Sequence, residues 1–94
     1  MESNKLSKKD FIEKVKDLKK VVSVMEINYV NLAVAGNRCY GKRESTNESF
    51  DVDLDKLYEA YSDCDVSELN TEKLKKYVDR VQSPALAILK AINK

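Results

Sequence analysis

The chain reads as an α+β fold: an N-terminal helix, a three-stranded antiparallel meander, then two or three C-terminal helices packed on one face of the sheet. Three observations carry this. Apolar residues recur at spacings of four and three up to residue 25, they alternate between turn residues from 29 to 53, and they return to helical spacing afterwards. Strand runs and helix runs do not alternate, which argues against a parallel sheet. Ninety-four residues suit one small domain, 1–94, with residues 1–6 expected as a flexible N-terminus.

Ser7 is placed to cap the first helix, and Asp10 three residues on makes a weak capping box. Phe11, Val15, Leu18, Val22 and Met25 then share one face, which predicts a helix over residues 7 to 24. The stretch VVSVMEINYV is rich in β-branched residues, so the boundary with the first strand is open to either reading.

In NYVNLAVAG, Val30, Leu32 and Val34 alternate with Tyr29, Asn31 and Ala33, the period of a half-buried strand. Gly36 and Asn37 supply a turn, both tolerating positive φ. Residues 38 to 44 form the return strand, 45 to 47 turn again, and 49 to 53 complete the meander with Phe50 and Val52 inward. Asp53 caps a helix whose Leu54, Leu57, Tyr58 and Tyr61 share a face. Beyond the connector SDCDVSELN, a further helix begins at Asn70 or Thr71 with Leu74, Tyr77, Val78 and Val81 inward.

Ser83-Pro84 reads as a start signal for the last helix, with serine as cap and proline at the first helical position. Leu86, Ile88, Leu89 and Ile92 cover too much of that helix for a lone surface element. It is either the central core helix or part of a subunit interface. A homodimer with the first or last helix at its seam is the expectation that follows.

Composition narrows the chemistry. Apolar residues are 43% and charged residues 35%, a globular balance without long disorder. No apolar run approaches the roughly 20 residues of a membrane helix, and MESNKLSKKDF lacks the apolar core of a secretory signal, so a cytoplasmic protein away from membranes is expected. Cys39 and Cys64 form no CxxC and meet no histidine, and they read as two ordinary thiols. Asn47-Glu48-Ser49 matches a glycosylation acceptor, idle without export but indicative of an exposed turn.

Histidine is absent, which removes the commonest general base and metal ligand and leaves both thiols without their usual activator. Neither GxxxxGK[ST] nor GxGxxG occurs. DVDLDKLYEAYS opens like a calcium loop but has Lys56 where glycine belongs and Ser62 where the bidentate glutamate belongs. The chain is therefore expected to be no enzyme and to hold no metal or cofactor.

Charge is segregated although the net is +1. Residues 48 to 68 hold eight acids against Lys56 alone, whereas both ends are rich in lysine. On the return strand Arg38, Tyr40, Lys42 and Glu44 share one face, and Cys39, Gly41 and Arg43 the other. Arg38, Tyr40, Lys42 and Arg43, with Lys73, Lys75, Lys76 and Arg80, are the candidate binding residues. They are weighed against plain pairing of the hairpin cations with Asp51 and Asp53.

The leading functional expectation is a non-enzymatic interaction module, a small regulatory or accessory protein that binds another protein or itself. The alternative is a nucleic-acid-binding accessory domain, with the basic hairpin face holding phosphates and Tyr40 stacking a base. Whether the two basic groups share a surface or pair with the acidic middle discriminates them.

Overall fold

The computed structural model describes residues 6–23, 25–78 and 80–92. It is α+β, in the order α1 (Lys8–Asp17), β1 (Val21–Val22), β2 (Asn28–Ala35), β3 (Arg38–Arg43), β4 (Glu48–Asp53), α2 (Leu54–Asp63), α3 (Thr71–Leu74) and α4 (Gln82–Ile92). A 3-10 turn at Val66–Glu68 joins α2 to α3. The strands pair antiparallel as β1-β2-β3-β4, four where three were expected.

The added strand comes from a shorter first helix. Ser7 caps α1 as expected, its Oγ accepting from the Asp10 amide, but the helix stops at Asp17 with Leu18 already extended. Val21 and Val22 then pair with Tyr29 and Asn28. Stiff β-branched side chains suit that strand better than another helical turn. Ser23 closes the hairpin: buried, its Oγ accepts from the Met25 and Ile27 amides at 3.2 Å. Val22 and Met25, expected on the helix's inner face, stand 52% and 74% exposed instead.

β2 carries a second departure. Between the Val30–Lys42 and Ala33–Tyr40 pairs it advances three residues while β3 advances two, a bulge at Asn31, whose φ is +57°. The extra residue flips the face that points inward. Tyr29 is therefore buried before the bulge and Leu32 after it, while Val30, expected to share a face with Leu32, does not reach the core. The Gly36-Asn37 turn follows as expected, with only Gly36 at positive φ.

All the helices that touch the sheet pack on the face carrying Leu32, Cys39 and Val52. Phe11 lies between Tyr58 and Tyr61 of α2, ring centroids 5.2 and 5.0 Å away. The chain before α1 is also held: the Leu6 amide donates to the Tyr61 hydroxyl at 2.8 Å, and the Tyr58 hydroxyl donates to the Leu6 carbonyl at 2.9 Å. Of the expected flexible N-terminus, residue 6 is thus anchored, and residues 1–5 lie outside the described residues.

α4 resolves the question posed by its composition. Pro84 to Leu89 and Ile92 are all buried within the chain itself, so α4 is the central core helix. It begins at Gln82, before the expected cap. Ser83 therefore sits in the first turn, where its Oγ accepts from the Tyr29 hydroxyl at 3.0 Å. Pro84 is tolerated because first-turn amides have no intrahelical acceptor to lose. α3 is only one turn long, so Val78 and Val81 reach the core from the segment that leads into α4. No helix among the described residues is long and apolar enough to cross a membrane.

Candidate binding clefts at the outer edge of the sheet

β4 is the last strand of the sheet, and among the described residues no strand pairs with its outer edge. The segment leading from α3 into α4 passes this edge, leaving two clefts that share Asp51 and Val81. The first, about 500 Å³, takes Arg43 from β3, Glu48, Ser49 and Phe50 from β4, and Arg80 and Ser83 from the α4 approach. The second, about 360 Å³, brings Arg38 and Asp53 of the hairpin beside Lys56, Lys75, Lys76 and Tyr77.

Strand register places these groups. Arg38 and Lys42 lie on the outer face with Tyr40, while Arg43 follows Cys39 and Gly41 on the inner face, opposite Tyr29 and Glu48. A side chain at Gly41 would displace its neighbours, because a Cβ would stand 2.6 Å from Leu32 Cδ2 and 2.7 Å from Phe50 Cζ. Phe50 stacks edge-on against Tyr29 at 5.4 Å, and both rings line the first cleft with Arg43.

The electrostatics answer the sharing question in both ways at once. Arg38 is neutralised: its Nη1 lies 2.5 Å from Asp51 Oδ2, and its Nη2 3.9 Å from Asp53 Oδ2. Asp53 also caps α2 through the Asp55 and Lys56 amides. Lys75 reaches only Glu72, at 3.7 Å, on an exposed surface. Among the described residues, Lys42, Arg43, Lys73, Lys76 and Arg80 make no ion pair. Arg43 is the sharpest case, its Nε buried without a hydrogen-bond partner among the described residues. Tyr77 donates to Asp63 Oδ2 at 3.3 Å and lies 4.0 Å from the Cys64 thiol. Hydrogen bonding with Cys64, then burial, pushes its hydroxyl up to about 12.

Of the eight candidates, the fold brings Arg38, Lys75 and Lys76 to one cleft and Arg43 and Arg80 to the other. Tyr40 and Lys42 line neither, and Tyr40 stands 44% exposed on the outer face. Lys73 is exposed on α3 and also lines neither. Sequence reasoning missed Lys56, the one cation of the acidic stretch, and the hydroxyls of Ser49 and Ser83. Lys56 had a usable signal, since a residue three beyond the Asp53 cap lies in the first turn of α2, close to β4.

Neither cysteine is in a disulfide, and burial pushes Cys39 up to about 11. The described residues contain no cluster of acidic or thiol side chains fit for a metal. No protein family, curated protein or solved structure matches the chain.

Proposed function

We propose that the protein is a small non-enzymatic interaction module that recognises an acidic, extended stretch of a partner protein along the outer edge of β4. The observation that carries this is the convergence of cations from separate segments, Arg38 with Lys56, Lys75 and Lys76, and Arg43 with Arg80, on two adjoining clefts. An open strand edge adds main-chain donors and acceptors, the usual means of holding an extended peptide. Complementary charge then steers the encounter and fixes the register.

Two features favour protein over nucleic acid. Glu48, Asp51 and Asp53 are interspersed among the cations, so a continuous ladder of phosphates would meet three carboxylates. A peptide can set neutral or basic residues opposite them. Base stacking relies on exposed aromatic platforms; Tyr40, the exposed aromatic of the hairpin, lies outside both clefts, and the rings that line them, Tyr29, Phe50 and Tyr77, are buried or half-buried. The charge also favours a different chain over a second copy, since two cationic edges repel and α4 spends its apolar surface internally. Two cysteines outside any disulfide suit a reducing compartment, and the cytoplasm is the setting we propose.

The test is a fluorescence-anisotropy titration with a labelled peptide of alternating glutamate and serine, run beside random single- and double-stranded oligonucleotides. Binding of the peptide that weakens as salt rises, with no oligonucleotide binding at about 150 mM salt, is the expected result. Oligonucleotide binding with a log-log salt slope near −2.7, about −0.9 for each of three phosphate contacts, would replace this reading with the nucleic-acid one.

A further inference from the structure

We infer that the Arg43–Arg80 cleft is a pocket for a phosphate monoester, presented as a phosphorylated side chain on the acidic segment that β4's edge accepts. This inference rests on that reading. Arg43 Nε is buried with no acceptor among the described residues, although a buried guanidinium donor strongly favours one. Glu48 stands directly opposite on β4 yet forms no ion pair with it, its Oε1 taking the Thr46 hydroxyl at 3.3 Å instead. Arg80 lines the same cleft from a left-handed backbone position, φ +71°, and is likewise unpaired among the described residues.

The remaining lining suits an oxyanion with several acceptor oxygens. Ser83 Oγ accepts from Tyr29, which leaves its own hydroxyl hydrogen to donate, and Ser49 supplies a second hydroxyl. The N-terminus of α4 opens beside them, adding the positive end of an eleven-residue helix. About 500 Å³ is far more than a bare ion needs and admits the ester with its carrier. A phosphate monoester has three acceptor oxygens and close to two charges, enough to engage both guanidinium groups. A carboxylate, with a single charge, would neutralise only one. Asp51 is already engaged by Arg38, so Glu48 is the carboxylate that opposes the ligand.

The experiment compares a short Glu/Ser peptide bearing one central phosphoserine with its unphosphorylated twin and with free O-phosphoserine. Each is titrated into the full chain while the arginine Nε–Hε resonances are followed by NMR. We expect the phosphopeptide to bind about tenfold tighter than its twin or better, the scale of one strong charge-assisted pair, with the Arg43 resonance moving most. Arg43→Gln and Arg80→Gln should each erase that preference, weakening the phosphopeptide by about tenfold more than its twin. Arg80 is exposed, so its variant tests the pocket even if Arg43→Gln folds poorly. Glu48→Gln should widen the preference.

Equal affinity for phosphopeptide and twin overturns the pocket while leaving the acidic-segment reading standing. Binding of neither peptide overturns both. Free O-phosphoserine binding as tightly as the phosphopeptide overturns the peptide carrier and assigns the pocket to a soluble phosphate ester.

Discussion

Arg38 on β3 reaches diagonally across the hairpin to Asp51 on β4, Nη1 to Oδ2 at 2.5 Å, although its direct register partner is Asp53. The two side chains are 44% and 46% exposed, so water screens the pair. Arg38→Ala should therefore lower stability in a urea melt by no more than about 1 kcal/mol. The functional effect is larger in this account. Asp51→Asn removes a carboxylate shared by both clefts and frees Arg38, and should tighten binding of an acidic peptide at little structural cost.

Gly41 should prove far less tolerant. An added methyl meets Leu32 and Phe50 at once, on the inner face of the central hairpin. Leu32 is buried, so relief requires repacking. Gly41→Ala is expected to cost about 1 to 3 kcal/mol, the usual range for an overpacked core. Gly41→Ala with Leu32→Ala should recover part of that loss relative to Leu32→Ala alone, and simple additivity would contradict the steric explanation.

The two tyrosines of α2 give a separable prediction. Tyr58→Phe and Tyr61→Phe each remove a hydrogen bond to Leu6 while keeping the ring stacked on Phe11. Each should cost about 0.5 to 1.5 kcal/mol. Hydrogen exchange at the Leu6 amide should accelerate specifically in Tyr61→Phe, because Tyr61 is its acceptor.

The pH response has a defined sign at either end. Cys39 ionises near 9.0 when unfolded and near 11 when folded, because burial opposes the thiolate. Its contribution is fully present below pH 9 and is lost as pH rises from there towards 11. Wild type should thus lose stability relative to Cys39→Ala across that window. At neutral pH a thiol reagent should modify Cys64 and spare Cys39 until the chain unfolds. At the acid end, hydrogen bonds from Lys8 and then Asn37 hold Asp55 below its ordinary 3.8. That contribution is present above 3.8 and disappears as pH falls through the lower folded value, an effect Asp55→Asn should remove.

Much of the fold was legible because its signals are local. Caps at Ser7, Asp53 and Asn70, and the glycine turn at Gly36, lie where the residue chemistry puts them. What failed depended on tertiary competition. Phe11, Val15, Leu18, Val22 and Met25 keep helical spacing, yet pairing of Val21 and Val22 with β2 outcompeted two more helical turns. The bulge at Asn31 had no sequence marker beyond asparagine's tolerance of positive φ, and it alone moved Tyr29 to the core. Alternation on β3 correctly separated Arg38 and Lys42 from Arg43. The meeting of Arg43 with Arg80 was invisible, because it depends on α3 ending after one turn and on the path of the chain past β4.

The proposed binding mode lays an acidic segment along β4 between the two clefts. Its most direct test is amide chemical-shift mapping of the chain on titration with the alternating Glu/Ser peptide. Shifts concentrated in residues 48–53 and 75–84, absent in a Lys75→Glu/Lys76→Glu variant, are the predicted result. Shifts confined to the opposite outer sheet face, at Val30, Ala33, Tyr40 and Lys42, would contradict it.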